Sequence, residues 1–463
     1  IVHDPEHRHQ PFPLTDVQRA YWLGRQTGAT SIATHIYHEF DVEHFNVTRF
    51  THAVNALIAR HEMLRARVLP DGTQQILAQV PAYQLEQRDL SALSPNARND
   101  ALMAIRDRLS HHVHPADRWP LFDFSYSACT AQHGRLHFSL DLLIADALSM
   151  RTLQQELMML YREPHVSLPL LPFSFRDYVQ ALLVEQASEA YARDQAYWQR
   201  ALPQLYGPPT LPVQGDLAQL SAIRFVRRRH RLSAHNWGVL SALAQRTRIT
   251  KTALLLTVFS QVLARWSLSP TFTLNLTLFN RPQGYPNAEA VIGDFTAVSL
   301  LNVCYDSQHS YAHNAQRIQV QLWEDLEHRR FSGIRASEAL IHSGRFHAPM
   351  PVVFTSMLDI DGETTAQDPR DTTRFTLCPD ANITQTPQVW LDHQVIELAG
   401  ELHFNWDAVE QLFDTTLLDQ MFGAYCHELQ ALVAMPQSWW GVNSSLALPT
   451  VSAPVTQAPA PTA

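Results

Sequence analysis

The segment 135–150 constrains the fold more than any other part of the chain. Leu136, Phe138 and Leu140 alternate with polar residues, which predicts a β-strand with two different faces. The sequence Asp-Leu-Leu-Ile-Ala-Asp follows at 141–146, and the leucines after it have the spacing of a helix. Two carboxylates in an aliphatic run need partners wherever the fold buries them. The segment therefore predicts a strand, a turn and a helix that hold either a structural ion pair or a catalytic carboxylate.

Four other segments carry comparable patterns, and in the first of them Thr15 stands where the N-cap of an amphipathic helix is expected. With the aspartate segment included, the set in chain order is 11–25, 141–146, Gly-Asp-Phe-Thr at 293–296, Pro-Val-Val-Phe-Thr-Ser at 351–356 and Gln-Thr-Pro-Gln-Val-Trp-Leu-Asp at 385–392. These segments and their order resemble the heterocyclization domains of non-ribosomal peptide synthetases. One such motif alone would be weak evidence, but five in the right order are specific, and together they span nearly the whole chain.

Heterocyclization domains are a branch of the condensation-domain superfamily in which an HHxxxDG active-site motif is replaced by DxxxxD. The resemblance implies two lobes, each similar to chloramphenicol acetyltransferase, arranged in a V with a tunnel between them. The alternation of helix and strand patterns along the chain independently indicates a mixed α/β or α+β fold. We expect an N-terminal lobe at 1–174, a C-terminal lobe at 175–435 and a Pro/Ala-rich interdomain linker at 436–463.

Local patterns in the second half of the chain give further expectations. The apolar residues of 175–202 predict one long helix, and the alternation over 272–279 predicts a strand. The basic run at 227–231 follows two apolar residues. We interpret this run as the solvated end of a strand and not as a phosphate site.

Composition excludes several classes of partner. With 46% apolar residues and a net charge of −9, the chain has ample material for a core and nothing that suggests a nucleic-acid-binding surface. No apolar run is long enough to cross a bilayer and no signal peptide is visible, so we expect no membrane partner and a cytoplasmic location. Four widely spaced cysteines indicate neither a zinc site nor a disulfide framework. The first residue is Ile1 and the last residues have a linker composition, which suggests a piece of a longer protein.

The two aspartates of the 141–146 segment have different expected roles. Arg281 follows the predicted strand at 272–279. The resemblance implies that Arg281 partners Asp146 in a buried, structural ion pair. Asp141 stands where condensation domains have the first of their two histidines. Asp141 is either a catalytic base or a carboxylate hydrogen-bonded into the fold, and the sequence leaves both alternatives open.

The better candidates for chemistry lie late in the chain. The segment 351–356 has the pattern of an apolar strand that ends in two hydroxyls, and Asp392 has the position of the end of a second apolar strand. Loss of solvation raises the pKa of such a carboxyl group, which suits proton transfer near neutral pH. From the residues alone, a turn aspartate is the simpler interpretation of Asp392. The resemblance implies instead that Thr355 and Asp392 carry out cyclodehydration. We expect the substrate tunnel to be lined by Ser356, Gln388, Asp294 and Thr296.

The sequence His-His-Val-His-Pro-Ala-Asp at 111–117 is similar to the histidine motif of ordinary condensation domains but does not match it. It has one residue too many before the aspartate and no glycine after it. His112 and His114 are close enough in sequence to share a metal ion, but a histidine-rich surface turn is the simpler interpretation. We therefore predict no metal site.

The resemblance implies an enzyme of an assembly line that makes an antibiotic or a siderophore. An upstream carrier domain holds an acyl donor as a 4'-phosphopantetheine thioester, a downstream carrier domain holds cysteine, serine or threonine, and an adenylation domain is a neighbour. The domain joins the two substrates as an amide and then cyclises and dehydrates it to a thiazoline or oxazoline, with no bound cofactor of its own. Two alternatives stay open: an ordinary amide-forming condensation domain, and a non-catalytic domain that only recruits carriers.

Overall fold

The computed structural model describes residues 1–25, 34–215, 220, 223–346, 350–358, 373–378, 381–386 and 388–442. Helices and strands alternate through these ranges, which confirms the predicted mixed α/β class. None of the helices in the described ranges is long and apolar enough to span a membrane.

The first part of the chain contains the predicted unit of strand, turn and helix, here β7 and α4. Its helices and strands in chain order are β1 (Phe12–Pro13), α1 (Asp16–Gly24), β2 (His35–Glu43), α2 (Val47–Arg60), β3 (Ala66–Val68), β4 (Thr73–Ile76), β5 (Glu86–Asp89), α3 (Pro95–Ser110), β6 (Phe122–Ala128), β7 (His133–Asp141) and α4 (Ala147–Arg162). Thr15 caps α1 as expected, with its side chain accepting a hydrogen bond from the backbone N–H of Gln18. The Gln18 side chain accepts from the Thr15 N–H in return, which completes a capping box.

The second part contains the elements that carry the late motifs. They are α5 (Phe175–Glu185), α6 (Glu189–Ala201), β8 (Phe225–Leu232), α7 (Ala234–Thr247), α8 (Lys251–Trp266), β9 (Thr271–Phe279), β10 (Thr296–Cys304), α9 (Tyr311–Glu327), α10 (Gly333–His342), β11 (Val352–Met357), β12 (Arg374–Leu377), β13 (Ile383–Gln385), β14 (Leu391–Leu398), β15 (Glu401–Val409) and α11 (Thr415–Ala434). The strand predicted at 272–279 is β9.

Two large sheets, each with its own hydrophobic core, divide the molecule into two lobes. The first sheet has the strand order β12-β2-β7-β6-β5, with β13 also paired to β2. The second has the order β10-β9-β11-β14-β15-β8, in which β11 runs parallel to both of its neighbours. Burial of β11 between two strands explains the apolar run Val-Val-Phe with which it begins.

The second half of the chain contributes two strands to the sheet of the first lobe, which the sequence did not predict. β12 and β13 come from the second half of the chain but pair antiparallel with β2 of the first sheet. The segments Arg374–Leu377 and Ile383–Gln385 of the predicted C-terminal lobe therefore contribute to the N-terminal one. We therefore propose a boundary between the lobes near residue 174, with β12 and β13 assigned to the N-terminal lobe.

The single helix predicted over 175–202 is wrong, because two helices occupy this range. α5 ends at Glu185, and the Ser188 hydroxyl accepts a hydrogen bond from the N–H of Tyr191 at 3.1 Å, which caps α6. A serine side chain that satisfies a free backbone N–H favours a new helix start over continuation of the old one. Apolar residues of α5, beginning with Phe175, pack into the core of the first lobe.

The linker predicted from residue 436 begins too early. Pro436–Trp440 forms a 3-10 helix, and Trp439 is fully buried in the core of the second lobe. The indole N–H of Trp439 donates to the Thr247 hydroxyl at 2.8 Å, so this segment is part of the packed lobe. The rest of the predicted linker, 443–463, lies outside the described residues.

Candidate active site

Two rows of mostly polar side chains cross one face of the second sheet. Strand pairing places the members of each row opposite one another on β9, β11, β14, β15 and β8. The first row in that order is Asn275, Val353, Asp392, Asp407 and Arg227, and the second row is Thr277, Thr355, Gln394, Asn405 and Arg229. Successive side chains of a strand point to opposite faces, so the residues between the rows, such as His393, point into the hydrophobic core.

Asp392 is the central carboxyl group of these rows, and its side chain is buried. Its Oδ1 accepts a hydrogen bond from the Thr355 hydroxyl at 3.2 Å, and its Oδ2 accepts one from Nε2 of Gln394 at 2.6 Å. Burial raises the pKa of Asp392 to about 7, and the neighbouring carboxylate of Asp407 adds to the rise. The two hydrogen bonds and the Arg227 guanidinium lower it again in part. Near neutral pH, Asp392 can therefore either give or take a proton.

Asp392 lies at the beginning of a strand, so the prediction that it ends one is wrong. Gln388 has a left-handed backbone with a φ of 63°, and the turn that it makes delays the strand until Leu391. The apolar residues Val389 and Trp390 thus precede β14. Asp392 is enclosed by β11 on one side and β15 on the other, which accounts for its burial.

Asp407 is a second buried carboxylate, directly opposite Asp392 on β15. Arg227 neutralises it through two hydrogen bonds, from Nε to Oδ1 at 2.7 Å and from a terminal nitrogen to Oδ2 at 2.5 Å. The same guanidinium donates to the Thr384 hydroxyl of β13 at 3.3 Å. Interpreting the whole run 227–231 as a solvated strand end is therefore wrong for Arg227, which lies between the two sheets.

Asp407 and Arg227 were not predicted from the sequence as members of the site. The available signal was the pattern that singled out Asp141, namely one carboxylate in an apolar strand, here Trp-Asp-Ala-Val at 406–409. A buried carboxylate needs a compensating partner. The arginines of the basic run in β8 were candidates for this partner, although they are far from Asp407 in the sequence.

Two cavities meet at the second row. One has a volume of about 350 Å³ and is lined by residues that include Tyr21, Gln388 and Asp392. The other has a volume of about 650 Å³ and is lined by residues that include Ser356 and Arg281. Thr277 lines both cavities, whereas Thr355 lines neither. Asp392 thus reaches one cavity directly and the other only through the hydroxyls of the second row.

The residues predicted to line a tunnel fall into two groups. Gln388 and Thr296 line the smaller cavity, and Ser356 lines the larger one, where its hydroxyl lies 2.9 Å from that of Thr252. Asp294 lines neither cavity. Its Oδ1 accepts a hydrogen bond from the Thr296 N–H at 3.1 Å, and complete burial raises the pKa of Asp294 far above its usual range. Burial therefore favours the uncharged form of Asp294, and the prediction that Asp294 lines the tunnel finds no support in the two cavities.

Asp146 and Arg281 form the ion pair that the sequence analysis expects, at 2.8 Å. The carboxylate caps α4 by accepting from the Ser149 N–H at 2.7 Å and also accepts from the Phe295 N–H at 3.3 Å. Arg281 donates in addition to the Val291 carbonyl at 2.7 Å. Since Asp146 belongs to the first lobe and Arg281 follows β9 of the second, the pair joins the two lobes.

Asp141 is separated from the rows and is held in an ion pair of its own. Its Oδ1 accepts from a terminal nitrogen of Arg25 and from the Leu143 N–H, the latter at 2.9 Å. Both side chains of the pair are buried, and Asp141 lines neither cavity. Of the two alternatives for Asp141, this geometry supports the carboxylate bonded into the fold.

The histidines at 111–114 lie beside the first sheet, away from the rows. The rings of His112 and His114 are 4.7 Å apart, and burial lowers the pKa of His114 to about 4. In the described ranges, no group of three or more histidine, cysteine, aspartate or glutamate side chains is arranged to hold a metal ion.

Comparison with known proteins agrees with this architecture. The family model described as a condensation domain matches residues 8–442. The solved EpoB cyclization-docking bidomain of a non-ribosomal peptide synthetase from Sorangium cellulosum is 38% identical in sequence. It superposes with a TM-score of 0.86 over 95% of this chain and 88% of that one.

Two curated relatives are much longer than this chain. Pyochelin synthetase PchF from Pseudomonas aeruginosa is 36% identical over 454 residues, which cover 94% of this chain and 24% of the relative. Phenyloxazoline synthase MbtB from Mycolicibacterium paratuberculosis is 36% identical over 442 residues, which cover 94% of this chain and 37% of the relative. The chain thus spans only 24% and 37% of the length of these two relatives.

The two lobes and the matching family model agree on one class of protein. The chain belongs to the condensation-domain family, with two chloramphenicol-acetyltransferase-like lobes, and within that family to the heterocyclization branch.

Proposed function

We propose that this chain condenses a carrier-bound acyl donor with carrier-bound cysteine, serine or threonine and then cyclodehydrates the product to a thiazoline or oxazoline. The observation that carries the proposal is Asp392, a buried carboxyl group with a pKa near neutrality that lines the smaller cavity and is joined through Thr355 to Thr277, which lines both cavities. The similarity to a cyclization domain that covers nearly all of this chain supports it. The two cavities are, in this proposal, the two arms of a tunnel between the lobes.

Amide formation requires mainly positioning. The amine of the acceptor attacks the thioester carbonyl of the donor, the C–N bond forms, and the donor's C–S bond breaks to release a pantetheine thiol. A thioester is already activated and an amine is a good nucleophile, so holding the two groups in contact supplies most of the acceleration. The two cavities that meet at Thr277 provide one arm for each substrate.

Ring formation requires proton transfer in addition. The side-chain sulfur or oxygen of the acceptor attacks the new amide carbonyl, and a cyclic intermediate with a hydroxyl group forms. Loss of water from this intermediate breaks the C–O bond and removes the proton from the ring nitrogen. Hydroxide is a poor leaving group, so we assign Asp392 the donation of a proton to the departing oxygen, with Thr355 bound to its Oδ1.

The proposal includes partners and a cellular setting. Both substrates reach the domain on 4'-phosphopantetheine arms of an upstream and a downstream carrier domain, and an adenylation domain loads the acceptor. The domain itself needs no bound cofactor, because its own side chains supply the acid and base. The name of the EpoB bidomain describes that protein as part of a peptide synthetase, which supports carrier partners for this chain. A cytoplasmic location is part of the same proposal.

We expect substrate on carriers to be required for turnover. The test is a reconstitution in which donor and acceptor carriers are loaded chemically and the acceptor carrier holds cysteine, serine or threonine in turn. Mass spectrometry of the acceptor carrier should detect a product one water lighter than the linear amide. Free cysteine should react far more slowly than the carrier-bound form. A linear amide with every acceptor would indicate an ordinary condensation domain, and no amide at all would indicate a recruiter.

Ring formation should depend on pH through Asp392. Its pKa is raised to about 7, so the acid form prevails below that pH and is lost above it. If donation to the leaving oxygen limits the rate, ring formation falls by about tenfold per pH unit above neutrality. A serine-loaded acceptor is the matched control, since its hydroxyl does not titrate in this range whereas a cysteine thiol does. A rise in the ring-to-amide ratio with pH for the serine acceptor would contradict the assignment.

A further inference from the structure

Thr277 occupies a position that the assignment of Asp392 and Thr355 leaves unexplained. Its hydroxyl lies 3.0 Å from that of Thr355, which in turn lies 3.2 Å from Oδ1 of Asp392. Both distances are within hydrogen-bonding range, so the three groups form a continuous hydrogen-bonded series. Thr355 is buried and lines neither cavity, whereas Thr277 is half-buried and lines both. Of the three groups, Thr277 is therefore the one that faces both cavities, whereas Asp392 lines the smaller cavity alone.

The hydrogen bonds to the other oxygen of Asp392 determine the direction in which this hydrogen-bonded series can carry a proton. Oδ2 accepts a 2.6 Å hydrogen bond from the Gln394 amide, whose own oxygen accepts from Nδ2 of Asn405 at 3.3 Å. In this arrangement Asn405 donates to the Gln394 oxygen, and the Gln394 amide presents an N–H to Oδ2. A proton on Asp392 is consequently directed to Oδ1, where Thr355 is the acceptor.

We propose that Thr277 is a further catalytic residue, whose hydroxyl passes the proton between substrate and Asp392 through Thr355, and that Gln394 is the positioning residue that sets the direction. The proposal rests on the proposed function, since it concerns the loss of water during ring formation. Threonine hydroxyls suit this role because each can donate and accept at once.

The proton transfers balance. The Thr277 hydroxyl donates its proton to the departing oxygen, Thr355 donates to Thr277, and Asp392 donates from Oδ1 to Thr355, as the C–O bond breaks and water forms. Asp392 ends as a carboxylate, and both hydroxyls end with one proton each, now oriented towards Asp392. The ring N–H proton released in the same step passes to water in the cavity or returns by the same hydrogen-bonded series to reset Asp392.

The experiment compares two substitutions at Thr277 in the reconstituted system with loaded carriers. Thr277→Val keeps the shape of the side chain but removes the hydroxyl, and Thr277→Ser keeps the hydroxyl. We expect Thr277→Val to lower the rate of ring formation by about 10²-fold while the rate of amide formation stays within about twofold, and Thr277→Ser to restore most of the ring. Thr271→Val, at the far end of the same strand and face, is the matched control and should behave like the parent.

Four outcomes distinguish this inference from the proposed function. Linear amide that accumulates in Thr277→Val and is converted again in Thr277→Ser supports the relay. Ring formation at the parent rate in Thr277→Val overturns the relay and leaves the proposed function intact. Loss of both reactions in Thr277→Val, with unchanged melting, also overturns it, because Thr277 would then position substrate only. Absence of a ring with the parent protein refutes the proposed function, and the relay with it.

Discussion

Replacing Asp392 by asparagine is expected to leave amide formation intact and to reduce ring formation by about 10²- to 10⁴-fold, the usual contribution of general acid–base catalysis. Asparagine has nearly the same shape and still accepts a hydrogen bond through its amide oxygen, but it cannot transfer a proton. The linear amide should therefore accumulate on the acceptor carrier, where mass spectrometry detects it. Thr355→Ala should give the same result less completely, since water can replace a lost hydroxyl.

Asp325 offers a matched control for this substitution. It is a buried aspartate of α9, and burial raises its pKa to about 7, as it does for Asp392. Its Oδ1 accepts from Tyr197 at 2.9 Å and from Gln321 at 3.0 Å, and it lines neither cavity. Asp325→Asn removes a buried acid of the same kind without touching the rows, so the ratio of ring to amide should not change. If Asp392→Asn forms the ring at the parent rate, or loses both reactions while folded, the role given to Asp392 is wrong.

Asp146→Ala is expected to lower the free energy of unfolding by about 3–5 kcal/mol, the usual cost of breaking a buried ion pair from one side. The substitution removes the cap of α4 and leaves the Arg281 guanidinium buried between the lobes without its carboxylate. Arg281→Ala should be comparably destabilising. Because the two changes break the same interaction, the double variant should be less destabilised than the sum of the single ones, which chemical denaturation of all three would measure.

An exposed ion pair provides the control for this cycle. Arg231 and Glu401 are 3.2 Å apart, and 71% of the Arg231 side chain is exposed. Arg231→Ala should therefore change the free energy of unfolding by less than about 1 kcal/mol. Parent-like stability of both Asp146→Ala and Arg281→Ala would show that the pair does not hold the lobes together.

Local features of this protein were determined by the sequence itself. The strand before Asp141, the cap at Thr15 and the strand β9 each depend on residues within a few positions of one another. The aspartate and threonine motifs are also contiguous in the chain, but their roles followed from the resemblance to a known family and not from local pattern. The helix break at Ser188 was also within reach, since the signal for an N-cap is local.

Only the tertiary structure decided which residues share the site. Thr277, Thr355, Gln394 and Asn405 lie on four strands, and a shift of one residue in any pairing would turn a side chain to the opposite face. The pairing of Asp141 with Arg25, across a sequence separation of 116, is equally invisible to local pattern. Local sequence fixes whether a residue lies on a strand or a helix. The partner that it meets there depends on register and lobe packing, which are set by the burial of the whole sheet.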